Sequence, residues 1–169
     1  DLYKVWKYLY KVIVLSTKSL ETIDQYKALL TDRQRDEYKA EVRAVRAMFY
    51  YYAMDMFGRI PILESTAQNT ADIRQSERSE VFGYIVYGLQ TVAPLLHLEH
   101  SNLQGNYYGR VTRPVAWFLL AKLALNAEVY TDNNWTDSSR PDGKTILFDI
   151  DGTQKNAWQT CIHYCDLIA

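Results

Sequence analysis

The sequence predicts an all-α protein of stacked helical hairpins, tetratricopeptide-like and interrupted by long inserted loops. Three observations predict it. Apolar residues return at three- and four-residue intervals through most of the chain, which is the spacing of one helical face. No stretch alternates apolar and polar residues for the length of a strand; residues 60–63 and 145–150 come nearest and read as extended pieces of loop. Gly, Asn, Asp, Ser and Pro gather in three segments, 64–76, 98–110 and 131–153, instead of being spread along the chain.

Each helix follows from its own residues. Leu2, Val5, Trp6, Leu9, Tyr10, Ile13 and Leu20 trace a single stripe and predict a first helix over 2–23. A second is expected from Asp32, read as its N-cap, to Phe57, with Gly58 at the C-terminal cap and Pro61 preventing quick resumption. A third starts near Ser76. It places Glu77 and Glu80 in the first turn, where the helix dipole favours acids, and is bounded by Pro94. Thr112 is expected to cap a fourth, with Pro114 in its first turn, that runs to Tyr130. A fifth begins near Gln154.

Two of these helices are too apolar to lie on a surface. Over residues 115–130 only Lys122, Asn126 and Glu128 are polar; over 40–56 only Glu41, Arg43, Arg46 and Asp55 are. A surface helix needs one apolar stripe, so both read as inner rods covered on several sides. Ala116, Ala121, Ala124 and Ala127 allow close approach of neighbours, while Phe49, Tyr50, Tyr51 and Tyr52 send rings in four directions about 100° apart. Arg43 and Arg46 are then expected to be paired with acids. The inner helices start 80 residues apart (Asp32 to Thr112), too far for a regular 34-residue repeat, so residues 1–169 read as one tetratricopeptide-like domain with inserted loops.

Composition excludes several classes. Nineteen Lys and Arg against twenty Asp and Glu leave a net charge of -1, which gives no field to hold a nucleic acid. Two cysteines make no disulfide framework, and no apolar run approaches the roughly 20 residues of a membrane span. The chain starts at Asp1 and stops at Ala169 inside an amphipathic pattern, which reads as a processed chain or a fragment. None of the seven glycines forms a phosphate loop or dinucleotide fingerprint, and no cofactor or metal is called for.

Some constellations still have to be weighed. Cys161, His163 and Cys165 cannot converge on one ion, because His163 points about 200° from each thiol on a helix, and two small buried thiols are the plainer reading. His97 and His100 around Glu99 read as a metal pair or as a solvated helix end. Asp149, Asp151 and Gly152 resemble the start of a calcium loop without its terminal Glu, and otherwise are turn chemistry. Acid pairs such as Glu77/Glu80 or Asp132/Asp137 have the chemistry for glycoside hydrolysis, but nothing in the sequence marks a partner, a cleft or a desolvating pocket for them. The better clue is the 14% aromatic content. Trp135, amid Asp132, Asn133, Asn134 and Asp137, could present a rigid ring to a sugar's C–H face with amides and carboxylates for its hydroxyls; equally, it could pack its loop on the helices. Trp135 and Asn133 are the glycan-binding candidates, and no catalytic residue is assigned.

Residues 40–50, Ala-Glu-Val-Arg-Ala-Val-Arg-Ala-Met-Phe-Tyr, followed by Phe57-Gly58-Arg59-Ile60-Pro61, resemble the signature of the SusD/RagB family, an A-E-x-R-x-x-R-A helix ending in an aromatic-Gly-x-x-Pro turn. Arg78-Ser79-Glu80-Val81-Phe82 with Ile85, then Gly109-Arg110-Val111-Thr112 leading into 116–130, match further blocks in order, and Trp158, Cys161, Ile162 and Tyr164 fit the next helix. The resemblance implies the helical scaffold of a longer, non-enzymatic, glycan-binding (or peptide-binding) lipoprotein on the outer surface of Bacteroidetes-type bacteria. It also implies a partner, a SusC-like TonB-dependent outer-membrane transporter, and a lipid anchor outside this chain. No binding residue is carried over from the family. Two rival readings are a generic peptide-binding adaptor of tetratricopeptide type and a fragment of an α/α-barrel glycosidase.

Overall fold

A computed structural model describes all residues, 1–169. Six helices and one hairpin follow in order: α1 (Leu2–Gln25), α2 (Asp32–Phe57), α3 (Arg78–Val92), α4 (Arg113–Leu125), α5 (Ala127–Thr131), β1 (Leu147–Ile150), β2 (Thr153–Asn156) and α6 (Ala157–Ile168). Neighbours pack in sequence, α1 on α2, α2 on α3, α3 on α4, and α4 on α6. The arrangement is the stacked helical hairpins that the periodicity predicts.

Helix ends show where local chemistry overrides the pattern. The N-cap of α2 is Thr31, one residue before the expected Asp32. Its hydroxyl accepts the Gln34 N–H (3.2 Å) while the Gln34 carbonyl oxygen accepts the Thr31 N–H (3.0 Å), a reciprocal capping box. At the other end Gly58 takes φ 73° and donates its N–H to the Met54 carbonyl (2.8 Å), a conformation glycine adopts without Cβ strain. Helix α3 starts two residues later than expected, with Glu77 as cap, and α6 starts at Ala157 rather than 154 because Asn156 caps it.

Three expectations are corrected. Thr112 stands at the N-cap position of α4, but its hydroxyl is buried without a partner and Pro114 presets the turn instead. The single helix expected over 112–130 breaks at Asn126, whose side-chain amide donates to the Lys122 carbonyl (3.1 Å) and competes with the backbone ladder. The chain is also not free of strand. Residues 147–156 form a hairpin around Asp151-Gly152, both at positive φ (52° and 82°), which is the two-residue turn that suits twisted strands. Phe148 and Ile150 point into the core and Leu147 and Asp149 outward, an alternation four residues long and too short to read from the sequence.

One apolar cluster of 29 buried residues joins the helices and β1. Ala40, Ala44 and Ala47 line a face of α2, and Ala116, Leu120, Leu123 and Ala124 are buried on α4. Tyrosine hydroxyls tie loops to this core. Tyr50 accepts the Leu63 N–H (2.8 Å) and donates to the Leu63 carbonyl (3.2 Å), Tyr10 donates to the Pro61 carbonyl (2.7 Å), and Tyr130 donates to Asp55 (2.7 Å). The loop 64–76 is closed at its neck where Ser76 donates its N–H to the Ile60 carbonyl (2.9 Å).

The inner-rod expectation holds on most of the circumference and fails on one strip. Phe118, Leu125 and Val129 are each more than half exposed, with the Lys122 ammonium over the Phe118 ring (5.7 Å) and the Tyr51 ring (5.1 Å). Arg43 and Arg46 do not pair with acids either. Arg46 donates to the Thr17 hydroxyl (3.1 Å), and Arg43 is exposed. Two long flexible side chains at the edge of a helix reach water without an acid, so a covered helix does not require an acid partner for them.

Candidate functional site

The end of α2, the start of α3 and the loop after α5 meet around a polar cavity of about 430 Å³, with Trp135 on its lining. Gly58 ends α2 and turns the chain, and a Cβ there would stand 3.3 Å from Arg78 Nη2. The missing side chain therefore lets the Arg78 guanidinium lie against the turn. Arg78 Nη1 donates to the Val129 carbonyl (3.1 Å), while its Nε–H is buried and has no acceptor. That unspent donor is enclosed beside the Gly58 turn and is costly to the fold, while Nη2 of the same guanidinium makes no hydrogen bond and is the group a ligand in the cavity can reach. Across the wall, Arg59 and Glu77 pair at 3.2 Å, and Gln75 completes the polar lining.

The loop carrying Trp135 is fixed by its own hydrogen bonds. Asp132 accepts the Asn134 N–H (2.9 Å), Asp137 accepts the Ser139 N–H (2.9 Å), and Arg140 donates to the Trp135 carbonyl (2.7 Å). The indole is 70% exposed, so the ring is held out from the helices rather than packed on them. Asn133 turns out to be a helix cap. Its carbonyl oxygen accepts the Ser79 N–H (3.1 Å) and its amide donates to the Ser79 hydroxyl (2.7 Å), so both ends are spent on α3. Of the two sequence candidates, Trp135 faces the cavity with its ring free and Asn133 positions the wall. Arg78 went unnoticed as a site residue, because an arginine in the first turn of a helix carries no signal of its own.

The remaining constellations are occupied locally. Glu77 and Glu80 form the capping box of α3, with Glu80 accepting the Glu77 N–H (2.9 Å). Asp132 and Asp137 both face Arg140 (3.4 and 3.5 Å). His97 stacks on Tyr107 (centroids 4.2 Å) and lies 3.9 Å from Glu37. Asp149 accepts the Gly152 N–H (2.7 Å) inside the hairpin turn. The two thiols are not both buried as expected: Cys161 is half-buried and Cys165 exposed, because α6 covers only one side of itself with α4. Burial and the neighbouring Cys165 push the Cys161 thiol up. No three His, Cys, Asp or Glu side chains come together as metal ligands.

A larger groove of about 710 Å³ lies between α3, α4, α6 and the hairpin. Several of its polar groups are engaged: Gln90 donates to the Asp149 carbonyl (3.0 Å) and to the Tyr164 hydroxyl (3.2 Å), and Arg113 donates to the carbonyls of Pro94 (2.7 Å) and Leu96 (3.2 Å), while the Asp151 and His163 side chains on its lining make no hydrogen bond.

Comparison with known proteins now adds a decisive observation. The SusD-like family model, described as "Starch-binding associating with outer membrane", matches residues 1–125, about three quarters of the chain. The chain belongs to the SusD-like family. Among curated relatives it is similar to the starch-binding protein SusD of Bacteroides thetaiotaomicron, 26% identical over 139 residues, covering 82% of this SusD-like chain and 23% of that protein. A solved SusD homologue from the same organism superposes with a TM-score of 0.65 at 28% identity, over 78% of this chain and 26% of the other. Surface glycan-binding protein A from Bacteroides uniformis gives 0.65 at 21% identity, over 75% and 28%. This SusD-like chain thus spans about a quarter of the length of these relatives. None of its helices is long and apolar enough to cross a membrane.

Proposed function

We propose that this SusD-like chain is one tetratricopeptide-like unit of helical scaffold in a longer, non-enzymatic glycan-binding protein of the outer-membrane surface. In this reading the longer protein is held by a lipid anchor outside the chain and delivers oligosaccharide to a SusC-like TonB-dependent transporter. Family membership supports the class. The observation that carries a sugar-binding role for this piece is the exposed Trp135 ring on a polar cavity that the Arg78 guanidinium also lines. An aromatic face covers the apolar side of a sugar ring at little entropic cost, and a guanidinium N–H meets a hydroxyl oxygen.

Catalysis is disfavoured at the pairs Glu77/Glu80 and Asp132/Asp137, which are already used in a helix cap and in arginine contacts. A peptide-binding adaptor would need an open inner helix face, whereas Ala40, Ala44 and Ala47 are covered. The test is a glycan array with the full protein, including maltooligosaccharides, followed by titration of the Trp135→Ala variant. Trp135→Ala is expected to lower affinity about tenfold, or ~1.4 kcal/mol. Capture of peptides but of no glycan would overturn the reading, and so would hydrolysis of the bound oligosaccharide.

A further inference from the structure

A smaller cleft, about 330 Å³, opens between α2 and α3, lined among others by Arg43, Arg46, Glu64, Tyr84, Tyr87 and Thr91. Arg43 and Arg46 are three residues apart and share a helix face. Arg33, Arg35, Arg59, Arg110 and Arg140 each hold a carboxylate, yet none stands within ion-pairing distance of Arg43 or Arg46. Arg46 spends one N–H on Thr17 (3.1 Å), and the two acids of α1 are engaged elsewhere, Asp24 with Lys39 (2.6 Å) and Glu21 with the Thr66 N–H (2.8 Å). Among the residues that line the cleft, two guanidinium groups stand against one carboxylate, that of Glu64, so its lining carries an excess positive charge. The Tyr87 ring is 73% exposed at its edge. Burial holds the Tyr84 hydroxyl above its ordinary range, so it stays a neutral donor.

We propose that this cleft binds a uronic acid residue, with Arg43 and Arg46 on the carboxylate and Tyr87 against the sugar ring. The inference rests on the glycan-binding reading and adds a substrate class to it. Arginine's planar fork matches a carboxylate in a way that a neutral hydroxymethyl group does not reproduce. Tyr84 and Glu64 remain to donate to and accept from ring hydroxyls. A polyacidic peptide would satisfy the arginines as well, but Glu64 repels a second carboxylate and such a chain makes no use of the exposed ring. The volume lies near the lower end of ligand cavities, roughly 300–1,000 Å³, and suits one sugar ring.

The test compares methyl β-D-glucuronide with methyl β-D-glucoside on the full protein by saturation-transfer NMR titration. The glucuronide is expected to bind about tenfold more tightly at low salt, and the preference should shrink as NaCl is added. Arg43→Gln, at an exposed position and therefore harmless to folding, should remove most of the preference. Arg43→Gln with Arg46→Gln should abolish it, and Trp135→Ala should leave it intact. Equal binding of the two sugars, a preference that survives Arg43→Gln, or displacement of glucuronide by a tighter-binding tetra-aspartate peptide would each overturn the inference. Neutral glycans bound at Trp135 without any glucuronide preference would sink this inference alone. A full protein that binds no saccharide at all would take the glycan reading down with it.

Discussion

The hydroxyl of Tyr50 lies inside the core, bonded to both the N–H and the carbonyl of Leu63 in the loop that follows α2. Burial pushes its pKa from 10.0 up to about 12, and burial raises Tyr10 and Tyr130 as well. The folded state thus holds these protons more tightly than the unfolded chain does. Their contribution is complete below pH 10.0 and, for Tyr50, is lost as pH rises through about 12. Tyr50→Phe is expected to cost about 1 kcal/mol at neutral pH, through the lost hydrogen bonds, and to flatten the decline of Tm above pH 10. Thermal melts from pH 7 to 12 check this; parallel declines in both proteins would contradict it. At this scale the sequence was informative unevenly. Trp135 stood out as a tryptophan among Asn and Asp, but that its ring is exposed and not packed on the helices was not legible. The bonds of Asn133 to Ser79 were not legible, since they depend on a contact 54 residues away. Arg78 was invisible for the same reason: its unfilled donor is a property of Gly58 and Val129 as much as of itself.

Helix α4 carries its information in small residues. Ala116, Ala121 and Ala124 are buried where the helix packs between α3 and α6, and Cβ-sized side chains set how near those neighbours come. Ala121→Leu is expected to destabilise by roughly 1–3 kcal/mol through overpacking, read from denaturant unfolding. A neutral result would mean that α6 yields to the added methyl groups. The types of the long helices were legible because periodicity integrates over many residues. Their ends, and the hairpin, were decided by single hydrogen bonds such as those of Thr31 and Asn126, or by four-residue alternations that no periodic window resolves.

At the scale of the whole molecule, the exposed apolar strip of Phe118, Leu125 and Val129 is the main departure from helices covered on every side. Replacing Phe118 and Leu125 by Ser in the 169-residue chain should change stability by no more than about 0.5 kcal/mol each, as at other open positions, while reducing self-association. Sedimentation velocity and thermal melts on the same samples separate the two effects; a marked fall in Tm would show that the strip is packed within the chain. The same strip bears on the proposed longer protein, since this chain spans about a quarter of its relatives' length.

By itself the amino-acid sequence determined the helical class, the order of the hairpins and, through the 40–50 signature and the blocks that follow it, the family. These are properties of residue spacing along one chain, and spacing survives without coordinates. Only the tertiary structure decided which polar groups remain unspent. It spent Glu77 and Glu80 in a cap, Asp132 and Asp137 on Arg140 and Asn133 on Ser79, left the Arg78 Nε–H without an acceptor, and held Trp135 and the Arg43–Arg46 pair open. A donor is free or filled according to what the fold brings within about 3 Å of it, and that distance is set by residues far apart in the chain.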